Sequence, residues 1–175
     1  MHPYEMATLI KERHKEESIK LRLGSLYTVI DALVRERLIT AREKRREGRR
    51  PERTIYALTP AGRTRMREWM REILSKPIKE YPRFEAGLCL LAALPPNEVI
   101  ALLKERLGRL GERMKAMRTA VDGVLKQGLH PLFLVEAEYH YTLLKSERDF
   151  VNKLVQRIVD EKWGSLKQWR EAHRC

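Results

Sequence analysis

Cysteine is scarce in this chain: only Cys89 and Cys175 occur, far apart, the second at the very end. No disulfide framework or metal-ligand spacing can be built from them, and a reducing cytoplasm is the compartment they fit best. Long apolar runs are missing as well. No stretch approaches the roughly 18–20 apolar residues of a membrane span, and no signal peptide is apparent. Low-complexity segments are absent. So are a phosphate loop, a nucleophile elbow and a metalloprotease helix. The few histidines have no supporting neighbours, so an enzyme ranks last among the readings and no cofactor is expected. Negative charge is also in short supply. Against 36 Lys and Arg there are 24 Asp and Glu, a net +12 in 175 residues, with a pI near 10.0. That excess is a common footprint of nucleic-acid binders.

The excess is spread along the chain: residues 1–75 carry +7 and residues 76–175 carry +5. Local clustering therefore has to locate a site. The densest cluster is Arg42 to Arg53, with seven basic and three acidic residues. It contains Gly48 and Pro51, which are turn signals. Ile39 to Lys44 and Thr54 to Leu58 flank it as strand candidates, so the segment reads as a basic hairpin.

The surrounding elements support that reading. Residues 3–15 form a first helix candidate, with Pro3 suited to its opening position. A polar linker follows, anchored by Ile19 and Leu21. A second helix spans about 24–37, with Leu26, Val29, Ile30 and Leu33 as one apolar face; Tyr27 and Val34 flank it. After the hairpin, Thr59 is an N-cap with Pro60 just inside. Met66, Trp69, Met70 and Ile73 then give one face of a helix that ends before Pro77. A helix followed by a basic hairpin is a device for reading duplex DNA.

A second unit begins near residue 78. Phe84 to Leu94 is helical in pattern and stops at Pro95-Pro96. Asn97 is expected to cap a long helix. In it Ile100, Leu103, Leu107, Leu110, Met114, Met117, Val121 and Val124 alternate at spacings of three and four, a heptad seam. Gly108 and Gly111 would permit close approach by a partner. Gln127-Gly128 ends this helix. A last helix runs from about 131 to 162, with Leu144, Val151, Leu154 and Ile158 on one side, and Trp169 lies beyond it. The expected architecture is mainly α with a small β-wing: a winged helix-turn-helix domain over 1–76 and a helical dimerisation and effector domain over 77–175.

These pieces, in this order, resemble the PadR-like transcriptional regulators. His2-Pro3-Tyr4-Glu5-Met6 resembles the start of that family's second helix. Gly24-Ser25-Leu26-Tyr27 with Leu33 and Leu38-Ile39 resembles its recognition helix and the entry to its wing. Gly48-Arg49-Arg50-Pro51 before Tyr56-Ala57-Leu58-Thr59-Pro60-Ala61-Gly62 resembles the wing and the helix after it. Tyr81-Pro82-Arg83-Phe84, Leu94-Pro95 and the long helices resemble the larger C-terminal domain of one branch. The resemblance implies a homodimeric regulator, usually a repressor, on a near-palindromic operator, and some members release DNA on binding aromatic compounds. The family normally has one more apolar helix before the motif that begins here at His2. Either the start was assigned late or this member lacks that helix.

On this reading Ser25, Tyr27 and Thr28 occupy the first turn of the recognition helix, where outward N–H groups suit phosphate. The family pattern gives Ser25 and Tyr27 hydroxyl contacts to phosphate, and Thr28 is placed to reach a base edge or a thymine methyl. The plainer alternative is that Ser25 caps the helix and Tyr27 packs inward. Tyr4 is a further backbone contact. Arg45, Arg46, Arg49 and Arg50 at the wing tip suit phosphates or a narrow minor groove, against the alternative of a solvated hairpin partly neutralised by Glu43, Glu47 and Glu52. The seam residues Leu103, Leu107, Leu110, Met114 and Met117 pack within their own domain, across a two-fold axis, or both. His130, Tyr139, His140, Tyr141, Trp163 and Trp169 offer stacking for an aromatic effector or plain core packing. Glu136 and His140, one turn apart, are too few to hold a metal. The rival of another class is a winged-helix interaction module whose basic hairpin binds an acidic protein partner.

Overall fold

The computed structural model describes residues 1–175 except 13–14, 16–18, 20–21, 46–52, 161–165 and 174–175. Two units emerge, Met1–Lys79 and Glu80–Cys175.

In the first unit, helix α1 (Pro3–Glu12) is closed at its start by His2. The His2 N–H donates to Glu5 Oε2 at 2.9 Å, and His2 Nδ1 accepts from the Tyr4 N–H at 3.1 Å. This is a capping box with His in the cap position. Helix α2 (Leu23–Arg35) buries Ile30 and half-buries Leu26 and Leu33. Val29, expected on that face, is instead 51% exposed. It lies a full turn before Leu33 on the edge of the stripe, where α1 and β1 do not cover it.

Helix α2 ends without Gly or Asn. Arg37 takes a left-handed φ of 58°. Its N–H donates to the Val34 carbonyl and the Leu38 N–H to the Leu33 carbonyl, each at 2.9 Å. These two bonds are a Schellman cap with arginine where glycine is usual. Replacing Arg37 by Gly removes the left-handed penalty but adds freedom to the unfolded chain. The expected result is a gain of about 0.5 kcal/mol in a urea titration.

Strands β1 (Ile39–Arg45) and β2 (Arg53–Leu58) pair antiparallel. The register runs from Ile39 opposite Leu58 to Ala41 opposite Tyr56, then slips so that Glu43 faces Ile55. Arg42 is the extra residue of this bulge, and a bulge bends and twists the strand that carries it. The other edge of β2 is used too: the Tyr56 N–H donates to the Met1 carbonyl at 3.2 Å.

Helix α3 (Pro60–Ser75) starts at Thr59, whose Oγ1 accepts from the Gly62 N–H at 3.0 Å. The same hydroxyl donates to the Arg37 carbonyl oxygen at 2.8 Å, with that of Leu38 at 3.1 Å as a second acceptor within reach. The Thr59 N–H adds a bond to Leu38 at 3.0 Å. One threonine thus opens α3 and closes the end of α2. Gly62 is buried there, and a Cβ on it would lie 1.9 Å from the Leu38 carbonyl oxygen. The expected face of α3 is amphipathic but uncovered in this chain: Met66, Trp69, Met70 and Ile73 are all exposed.

In the second unit, the Phe84–Leu94 segment is two pieces, α4 (Arg83–Cys89) and a 3-10 turn Leu91–Ala93. Helix α5 (Pro96–Lys126) begins with Pro95 as cap and Pro96 in the first turn. Asn97 is therefore inside the helix and does not cap it. Proline fixes the extended-to-helical switch by its own φ, which leaves no role for an Asx cap. Gly128, at φ 86°, closes α5, with Leu129 N–H donating to the Val124 carbonyl at 3.1 Å. A 3-10 turn Pro131–Leu134 leads into α6 (Val135–Val159), and α7 (Leu166–Glu171) follows.

The core of this unit is the α5–α6 contact. Val99 and Leu103 meet Val151, Leu154, Val155 and Ile158, with Phe84, Leu88 and Trp169 packed around them. Trp169 is held by its indole N–H, which donates to the Leu94 carbonyl at 2.9 Å. A smaller cluster joins Leu110, Met114 and Leu144. Arg106 ties the two helices, lying 3.7 Å over the Phe84 ring and 2.6 Å from Glu147.

Candidate nucleic-acid interface

The sequence of α2 leaves one side of the helix polar and small. Gly24, Thr28, Asp31 and Arg35 follow at spacings of four, three and four, and all are exposed. Ser25 and Tyr27 flank the start of that row and are exposed too. Nothing lies within 4 Å of a Cβ built on Gly24. The helix therefore presents an unobstructed first turn, and Tyr27 does not pack inward.

That first turn is also electrically open. Its N-cap is Arg22, which makes no side-chain capping bond. Leu26 N–H takes the Arg22 carbonyl at 3.0 Å, so the N–H groups before it have no partner inside the helix. Ser25 does not act as the cap. Its hydroxyl donates backwards to the Arg22 carbonyl at 2.9 Å, and that of Thr28 to Gly24 at 3.4 Å. Both oxygens keep lone pairs for a donor. To donate to a phosphate, Ser25 would first turn its proton away from Arg22. Free N–H groups, the helix dipole and the nearby Arg22 side chain together make this end suited to an anion.

Tyr4 stands in the first turn of α1 and is 60% exposed. Arg45 is the last residue of β1 and pairs with Arg53 across the hairpin. Arg46, Arg49 and Arg50 lie outside the described residues. The exposed Arg42, at the bulge, was counted in the basic cluster but not singled out as a contact, and neither were Asp31 and Arg35 on α2. The signal for the last two was available: counting back from the buried Ile30 assigns the opposite row. In a major groove the carboxylate of an Asp can accept from a cytosine amine, and an Arg can pair with guanine.

In the second unit the expected partners separate. Leu103, Leu110 and Met114 are buried by α6 and its neighbours in the same chain, and Leu107 and Met117 are half-buried. The described residues of the aromatic group lie in different surroundings. His130 Nδ1 accepts from the Leu132 N–H at 3.2 Å, Tyr139 is exposed, Tyr141 joins the small cluster, and Trp169 caps the main core. Trp163 lies outside the described residues. Glu136 and His140 gain no third His, Cys, Asp or Glu among the described residues. None of the described helices is long and apolar enough to cross a membrane.

Residues 1–68 match the model of the transcriptional regulator PadR-like family. Among curated proteins no sequence matches. Solved structures are similar over most of the chain. PadR of Bacillus subtilis in complex with operator DNA aligns at a TM-score of 0.73 with 18% identity, covering 90% of this chain and 89% of that one. The same protein in complex with p-coumaric acid gives 0.69 and 18%, covering 90% of each. The PadR-like regulator BC1756 of Bacillus cereus gives 0.62 and 12%, covering 92% of this chain and 91% of that one. The family is one of transcriptional regulators and not of enzymes. The chain is thus similar to the PadR-like transcriptional regulators over residues 1–68, and it carries a winged helix followed by a helical C-terminal unit in the fold of solved PadR proteins.

Proposed function

We propose that the chain is a homodimeric repressor that binds a near-palindromic operator and is released by a small ligand. The observation that carries the DNA reading is the continuous device from Arg22 to Gly62. An uncapped helix start with an exposed polar row is locked by Thr59 to a strand pair that leads into the Arg-rich segment 46–52. Phosphate contacts from Arg22, Ser25, Tyr27, Tyr4 and the wing position the protein, and Thr28, Asp31 and Arg35 read base edges. The operator complex and the p-coumaric acid complex of the Bacillus subtilis protein support the DNA and effector parts by analogy of fold.

The test is titration of a selected DNA fragment against scrambled competitor. Sequence-specific competition supports a regulator. Equal competition by scrambled DNA, together with capture of an acidic protein, supports the interaction-module rival.

For the dimer, the seam of α5 is mostly spent inside the chain. A second apolar row on α6 is open: Val135, Tyr139, Leu143 and Phe150, spaced four, four and seven. With the half-buried Leu107 and Met117 it forms the pairing surface, and a two-fold dimer places two recognition helices on half-sites about one helical turn apart. Leu143→Glu is expected to shift the protein to monomer in sedimentation and to weaken operator binding through lost bivalency. Leu110→Glu is expected to unfold the second unit, since it introduces a charge into a buried contact.

A further inference from the structure

At the turn end of the α5–α6 hairpin lies a cleft of about 320 Å³, beside the 3-10 turn Pro131–Leu134. That volume is within the range of small-molecule sites. Its walls are mainly apolar, with Met117, Val121 and Leu125 from α5 facing Leu134 and Ala137. Three charged residues also line it: Arg118 and Asp122 from α5, and Glu138 from α6.

The cation is already occupied. The Arg118 guanidinium lies 5.7 Å from the centroid of the Tyr141 ring, which also lines the cleft. The two carboxylates are not. Neither Asp122 nor Glu138 forms an ion pair among the described residues. An apolar cleft with two unpaired carboxylates on opposite walls is unusual in a chain of net charge +12. Basic residues are abundant, yet none neutralises this pair.

We propose that this cleft binds a small hydrophobic amine, its apolar body between α5 and α6 and its ammonium between Asp122 and Glu138. The ligand fills the cleft with hydrocarbon and supplies positive charge to a lining that has two carboxylates and one guanidinium. A carboxylate ligand of the same size would bring its anion against two others. The class is therefore opposite in charge to p-coumaric acid, the ligand of the Bacillus subtilis complex. Binding stands on the cleft alone; only its consequence for the operator rests on the effector reading above.

The experiment is calorimetric titration of the full chain with tryptamine, with indole-3-acetate as the anionic control of like ring. Tryptamine is expected to bind saturably, and the control not to bind. The double variant Asp122→Asn, Glu138→Gln is expected to weaken tryptamine about tenfold or more. Both residues are exposed, so the variant keeps its fold, which circular dichroism checks. No tryptamine binding, as would follow if a second protomer filled the cleft, overturns the proposal. So does equal binding of the two probes, or an unchanged affinity in the variant. Operator release is read separately: tryptamine that binds without loosening the operator complex leaves the site standing and overturns its role as effector site.

Discussion

Gly62→Ala is expected to destabilise the winged-helix unit by about 3 kcal/mol, the upper end of the usual cost of overpacking. In an exposed helix the same change would stabilise by roughly 0.5–1 kcal/mol. The sign reverses because the added Cβ would lie 1.9 Å from the Leu38 carbonyl oxygen and 2.9 Å from its carbon. Those atoms are backbone and cannot rotate away. They also accept the bonds from Thr59 that hold the end of α2. To make room, α3 must slide off the loop that leads from the recognition helix into β1. Urea titration followed by circular dichroism checks the loss of stability. Ala61→Gly is the control one position earlier, where the helix surface is exposed and the cost is at most about 1 kcal/mol. Equal effects at the two positions would mean that the contact with Leu38 does not constrain the fold.

The second large effect concerns the wing. Replacing Arg49 and Arg50 together with Ala is expected to weaken operator binding by about a hundredfold, since each protomer loses two charge-assisted phosphate contacts. The slope of log affinity against log salt should fall by about 1.8 per protomer, following counterion release. Fold and dimer should be unchanged, because the substituted residues lie outside the strand pairing, which ends at Arg45 opposite Arg53. Fluorescence anisotropy over a salt series measures both quantities. Unchanged affinity and slope would remove the wing from the mechanism and leave the hairpin as a structural element.

The elements that position the interface were readable because local chemistry marks them. Thr59-Pro60 announces the start of α3, and the β-prone runs on either side of the basic turn announce the hairpin. The device between them was not readable. A left-handed Arg37 has no sequence signature, since that position normally calls for Gly or Asn. The bulge at Arg42 likewise arises from pairing across the hairpin and not from any residue type. Val29 shows the limit of periodicity in a short helix: the stripe is broad, and only the neighbouring elements decide which edge is covered. The α5 seam shows a second limit. Spacing of three and four identifies a buried face, but not whether the covering helix belongs to the same chain. Here α6 covers Leu103, Leu110 and Met114, and its own outer row of Tyr139, Leu143 and Phe150 is exposed.

The two halves of the candidate site differ in their signals. Charge density alone pointed to Arg45, Arg46, Arg49 and Arg50. Helical spacing, not charge density, picks out Asp31 and Arg35, which continue the exposed row begun by Gly24 and Thr28. Under the proposed function, wing arginines set affinity and salt dependence, while the α2 row sets sequence preference.

The most direct test of the regulator reading is selection of genomic DNA fragments by the purified protein, followed by footprinting of the best fragment. The expected result is one enriched motif with two-fold symmetry, its half-sites about one helical turn apart, and protection lost in the Arg49/Arg50 double variant. Uniform recovery of fragments, with affinity that follows salt but not sequence, would contradict it.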